Sequence, residues 1–116
     1  MSFYKELGYS FNEKYTDETA ACLVISDIIY AMLITENKFR EFTPKAICDA
    51  HQYTEVLNCL SAESKDAVND LVDKAIKSGA TEHMQARDYG FMYSRAFNDP
   101  DGHVWEMLWM DESAAW

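Results

Sequence analysis

Glu106 is the side chain of this sequence best placed to do chemistry. It lies in FNDPDGHVWEMLWMDE, residues 97–112, where a tight turn runs into a strand of large apolar residues that carries one acid. A carboxylate there has three uses: metal ligand, general base, or an acid that merely faces water. His103, three residues earlier, suggests an H-x-x-E chelate. On a helix that spacing would share a face, but on a strand it puts the two side chains on opposite faces, so they do not hold one ion together. His103 is therefore a turn-end residue. His51 and His83 fall in predicted loops facing solvent, without metal-ligand spacing. Cys22, Cys48 and Cys59 are odd in number and have no C-x-x-C spacing, which suggests neither a disulfide framework nor a zinc site. Nothing next to Cys59 in sequence would lower its pKa, so it reads as a buried, inert thiol. Such cysteine usage fits a reducing cytoplasm.

The elements that must position Glu106 follow from spacing. Residues 2–8, SFYKELG, read as the end of a helix, with Gly8 taking the positive φ of a C′ residue. Tyr9, Phe11 and Tyr15 alternate with polar residues at a strand period. Ala20 to Ile25 and Ile28 to Thr35 form a predicted hairpin about Ser26-Asp27. Lys38 to Ala50, which holds Pro44, is a connector with a helical turn, and Thr54 to Leu60 is a strand. Ser64 to Ser78 is the clearest helix: Ala67, Val68, Leu71, Val72, Ala75 and Ile76 fall on one face, with Ser64 as cap and Gly79 just past the end. Gln85 to Asp88, Phe91 to Asn98 and His103 to Met110 read as strands. Asp99-Pro100-Asp101-Gly102 has the proline and glycine positions of a type I turn. In the last strand, Val104, Glu106, Leu108 and Met110 share one face and Trp105, Met107 and Trp109 the other. The indoles suit the face under a helix, which turns Glu106 the opposite way.

The order is α-β-β-β, a connector, then β-α-β-β-β. The first half is the second without its opening strand, an internal duplication of architecture. The chain has 116 residues, enough for one domain with a modest core, and its 48% hydrophobic and 26% charged composition is globular. No apolar run is long enough to span a membrane, and no secretory signal opens the chain. The formal net charge of −10 argues against nucleic acid and anionic membranes and permits a cationic ligand.

The second half, TEVLNCLSAESKDAVNDLVDKAIKSGA followed by YGFMYSRAFNDPDGHVWEMLWMD, resembles the vicinal oxygen chelate superfamily, which includes glyoxalase I, the bleomycin resistance proteins and the extradiol dioxygenases. FNDPDGHVWEML resembles that group's last turn and strand, and FYKELGY the end of its first helix. The similarity runs over essentially the whole chain, without a counterpart of the opening strand. It implies an α+β fold: one domain over residues 1–116, with module one at 1–50 lacking its opening strand and module two at 51–116. Each module is βαβββ, and their curled mixed sheets enclose a pocket. Metal-using members take one His, Gln or Glu ligand from the first and last strands of both modules, whereas the bleomycin resistance branch binds a bulky cationic drug without metal. Carried over residue by residue, Glu106 matches the final carboxylate. Met32 stands at the equivalent place in module one, where a soft thioether replaces the acid. Glu55 falls near the first-strand position of module two, where a slip of one residue turns it away. The fourth ligand would come from the absent strand. A catalytic metal usually has three protein ligands.

Three readings stay open. The favoured one is small-molecule binding without a conventional metal site, in a pocket lined by Tyr30, Met32, Phe91, Tyr93, Glu106 and Leu108. Aromatic faces and one acid suit a cationic, partly aromatic ligand. The second is a divalent-metal-dependent lyase, isomerase or dioxygenase with Glu106 as ligand or base. The third is a degenerate module that dimerises without chemistry. The cofactor is none in the first reading and a divalent metal in the second. A homodimer is expected, because an uncovered strand edge invites another chain, and the tail ending in Trp116 would help cover it.

Overall fold

The computed structural model describes residues 2–111 and Ser113. The chain divides into two compact units, Met1–Cys48 and Asp49–Trp116. Trp116, the expected cover of the strand edge, lies outside the described residues.

The first unit opens with α1 (Ser2–Glu6), which buries Phe3 and Tyr4. The helix stops where Gly8 takes φ 97° and its N–H donates to the Lys5 carbonyl. Strand β1 is short, Ser10–Phe11, because Asn12 then accepts a hydrogen bond from the Lys14 N–H and starts a 3-10 turn at Glu13–Tyr15. Tyr15 therefore lies in a turn, not in the strand that its alternation with Phe11 predicts. Strands β2 (Ala20–Val24) and β3 (Tyr30–Ile34) form the expected hairpin, and the antiparallel order is β1-β2-β3. Phe11, Leu23 and Ala31 are register neighbours on one face. Lys5 of α1 reaches over the Phe11 ring, so this is the helix side. Tyr30, Met32 and Ile34 share the other face. A single-turn helix, α2 (Glu36–Arg40), follows, capped by the Thr35 hydroxyl.

The second unit is β4 (Asn58–Ser61), α3 (Lys65–Lys77), β5 (Thr81–Asp88), β6 (Met92–Asn98) and β7 (Val104–Met110). Its sheet runs β4-β7-β6-β5, with β4 parallel to β7 and the other pairs antiparallel. This is a βαβββ unit. The first unit repeats it without the strand that would pair with β3. Helix α3 begins where Ser64 Oγ accepts the Ala67 N–H at 3.0 Å and ends at Gly79, with φ 116°. Val68, Val72 and Ala75 are completely buried on its inner face, each valine contributing about 2 kcal/mol.

The helix covers the face of the sheet that carries Tyr93, Arg95, Phe97, Trp105, Met107 and Trp109. Tyr93 Oη donates to Asn69 Oδ1 at 2.7 Å, and Arg95 donates to Asn69 at 3.1 Å and to Asp73 at 2.9 Å. Arg95 also holds Glu82 of β5 through two hydrogen bonds, of 2.7 and 3.3 Å, so one guanidinium ties α3, β5 and β6 together. These carboxylates raise the Arg95 pKa further above its usual value, the hydrogen bonds to Glu82 most of all. Lys65 of α3 lies 5.6 Å from the Trp109 ring and 5.9 Å from the Tyr93 ring.

The turn Asp99–Gly102 closes with the Gly102 N–H donating to the Asp99 carbonyl at 2.9 Å. The Asp99 carboxylate is buried. It accepts the N–H groups of Asp101 and His103 and the indole N–H of Trp105. Gly102, with φ 93°, packs against the connector: a Cβ there would stand 2.8 Å from the Ala50 carbonyl carbon and 2.9 Å from the His51 nitrogen. Among the described residues no helix is long and apolar enough to cross a membrane.

Candidate functional site

Glu106 lies on the open face of the second sheet, opposite α3, as the alternation along β7 predicts. Its register neighbours are Cys59 on β4 and Ala96 on β6. Leu108 follows two residues on, on the same face, with Ser94 as its partner, and Met84 of β5 pairs with Ala96. Of these neighbours Ala96 is buried, Leu108 and Ser94 are half-buried, and Cys59 and Met84 are exposed. Among the described residues no hydrogen bond or ion pair reaches the Glu106 carboxylate, which is itself half-buried. A carboxylate that has lost part of its water without gaining a donor is held at a cost, which a bound cation or donor would offset.

Cys59, read from the sequence as an inert thiol, stands beside Glu106. It is exposed, not buried as expected. Loss of surrounding water first, and the Glu106 charge second, push its thiol pKa up. It is a protonated neighbour of Glu106, not an activated nucleophile. Only the parallel pairing of β4 with β7 brings the two together, and nothing in either local sequence signals it.

The other candidates fall in different places. Tyr93 is a correction: it pairs with Trp109 and faces α3, away from Glu106. Phe91 precedes β6 in a bend, 47% exposed, its carbonyl accepting the Asp111 N–H at 2.7 Å. Tyr30 and Met32 belong to the first unit, on the open face of β3, 49% and 50% exposed. The Tyr30 hydroxyl donates to the Asp27 carbonyl at 2.9 Å. Glu55 is a second correction. Strand β4 starts only at Asn58, so Glu55 is an exposed connector residue and lines no sheet face.

A metal carried by Glu106 needs further ligands. Among the described residues no group of three or more His, Cys, Asp and Glu side chains is placed to hold one. The donor beside Glu106 is a thiol that keeps its proton, which is a poor match for a hard divalent ion. The residues present do not fit the superfamily's metal.

At the turn end of the same unit lies a polar cleft of about 410 Å³, lined by His51, Gln52, Thr54, Thr81, His83 and Asn98 among others. His83 belongs to β5, not to a loop. Asn98 Nδ2 donates to Thr81 Oγ1 at 3.1 Å, which turns Asn98 Oδ1 toward His83 Nδ1 at 3.0 Å.

No protein-family model matches the chain, and no curated protein matches it. Solved structures do. A hypothetical protein from S. aureus superposes with a TM-score of 0.77 at 24% identity, over 91% of this chain and 79% of that one. A glyoxalase/bleomycin resistance protein/dioxygenase family enzyme from Burkholderia phytofirmans gives 0.75 at 18% identity, over 94% and 86%. A lactoylglutathione lyase from Agrobacterium tumefaciens gives 0.66 at 12% identity, over 98% and 85%. The fold is that of the glyoxalase/bleomycin resistance/dioxygenase proteins, which supports the resemblance read from FNDPDGHVWEML. At these identities the likeness speaks to the fold, and that fold carries unrelated chemistries.

Proposed function

We propose that this chain binds a small organic cation on the open face of its second sheet, against Glu106, without a conventional metal site. The observation that carries this reading is the half-buried Glu106 carboxylate, which has no hydrogen-bond or ion-pair partner among the described residues and shares the open face with Ala96, Leu108 and Met84. An ammonium group would take the acid and its apolar substituents the methionine and leucine side chains. The net charge of −10 favours the approach of cations. Cys59, protonated beside the acid, lines the same spot. Phe91 is a further lining candidate, and a cytoplasmic setting fits the cysteine usage.

The test is titration with benzyltrimethylammonium in the presence of a strong chelator, alongside elemental analysis of the untagged protein. Saturable binding without metal supports the reading. Near-stoichiometric retained metal, with cation binding only when metal is present, would replace it with a metal-dependent enzyme.

A further inference from the structure

The outer edge of β3 is unpaired among the described residues, whereas its counterpart β7 is paired on both sides. The bonding pattern shows which groups face outward. The Ile25 N–H donates to the Ile29 carbonyl at 3.0 Å and the Thr35 N–H to the Thr19 carbonyl at 2.9 Å. In an antiparallel ladder, bonded and non-bonded pairs alternate. Leu23–Ala31 and Ala21–Leu33 are therefore the bonded pairs inside the hairpin. Val24–Tyr30, Cys22–Met32 and Ala20–Ile34 are the non-bonded ones. The N–H and C=O groups of Tyr30, Met32 and Ile34 thus point away from β2. On β7 the corresponding outward groups meet β4, and the Leu108 carbonyl accepts the Ala62 N–H at 2.8 Å.

Edge strands are normally protected by charge, proline or a bulge. From Ile28 to Thr35 the sequence is IIYAMLIT, with no charged residue and no proline, and the β2–β3 register is unbroken. Ile28, Ile29, Tyr30 and Met32 along it are exposed, Ile28 by 86% and Ile29 by 55%. The outward groups are spaced evenly about Met32, so the edge is complementary to itself.

We propose that β3 pairs antiparallel with β3 of a second copy of this chain about a two-fold axis at Met32. Tyr30 then lies opposite Ile34 of the second copy, and Met32 opposite Met32. The two hairpins form one continuous sheet. The absence of charge along the edge points to a second copy as occupant: two chains of net charge −10 meet here along an open strand that brings no carboxylate.

The experiment uses the whole chain. Sedimentation over a wide concentration range should show a dimer that strengthens with salt, because salt screens the repulsion between acidic copies. Met32→Pro should give a monomer with an unchanged circular dichroism spectrum, since the N–H it removes points away from β2. A second variant is independent of that proline. In a chain with Cys48 and Cys59 replaced by serine, Met32→Cys should cross-link to itself under mild oxidation, because bonded antiparallel pairs place Cα atoms about 5.5 Å apart, within disulfide reach. Tyr30→Cys should not, because it faces Ile34. A monomer at every concentration, a dimer that survives Met32→Pro, or equal cross-linking through positions 30 and 32 would each overturn the proposal.

Discussion

Cys59 and Glu106 are register partners on adjacent parallel strands, and the charge of one helps hold the proton on the other. Both raising effects act on the thiolate, because partial burial and a neighbouring carboxylate each disfavour a second negative charge. The alkylation rate of Cys59, followed by mass spectrometry of its peptide, should therefore rise at a more alkaline pH than that of an unperturbed thiol. Glu106→Gln removes the second cause and leaves the first. The midpoint should move down, but not back to the ordinary value. A midpoint that ignores Glu106→Gln would mean that the two side chains do not interact.

Gly102 and Gly90 both have positive φ, of 93° and 82°, but their surroundings differ. A Cβ at Gly90 meets nothing within 4 Å, whereas one at Gly102 meets the Ala50–His51 backbone below 3 Å. Gly90→Ala should cost about 1 kcal/mol through backbone conformation alone. Gly102→Ala should cost about 3 kcal/mol, because the connector must also move. Urea unfolding midpoints of the two variants check the ranking. The polar cleft walled by this connector should deform in Gly102→Ala and not in Gly90→Ala.

Arg95 joins α3 to β5 through Asp73, Asn69 and Glu82. Its side chain is only 12% exposed, so these bonds are shielded more than those of a surface pair. Arg95→Met should lower stability by about 2 kcal/mol. Tyr93→Phe, which loses the single bond to Asn69, should cost about 1 kcal/mol. Hydrogen exchange in α3 should speed up in both, more in Arg95→Met. An Arg95→Met chain as stable as the parent would show that the network adds nothing.

Asp99 accepts three donors from inside its own turn and strand, one of them the Trp105 indole. Asp99→Ala removes the acceptor of the buried Trp105 indole N–H and of two part-buried backbone N–H groups and should cost about 3 kcal/mol. Trp105→Phe removes one donor together with part of the packing, and its loss should not add fully to that of Asp99→Ala. A double-mutant cycle measures the coupling.

The parts of this fold that were legible in the sequence are those with a strong local period. Val68, Val72 and Ala75 recur at helical spacing between Ser64 and Gly79, and α3 is where they place it. Trp105, Met107 and Trp109 alternate with Glu106 and Leu108, and that alternation alone assigns the face of Glu106. Less legible were segments whose structure depends on a partner. Thr54 to Leu57 are as β-prone as Asn58 to Ser61, but only the latter meet β7, since a strand is a fit to its neighbours. β5 is exposed along its whole length and its sequence shows no alternation, so His83 reads as a loop residue. The face of Tyr93 is not legible either, because it is set by the pairing of Asn98 with Val104 across the turn. The Cys59–Glu106 pair needs a parallel register between segments 47 positions apart, which no short-range pattern encodes.

The most direct measurement is the affinity of benzyltrimethylammonium for the parent chain and for Glu106→Gln, in chelator, with backbone amide shifts followed at Ser94, Ala96 and Leu108. The carboxylate as cation partner predicts shifts centred on these open-face residues and binding about tenfold weaker in Glu106→Gln. Equal affinity in the two chains, or shifts centred instead on His51 and His83 in the polar cleft, would contradict it.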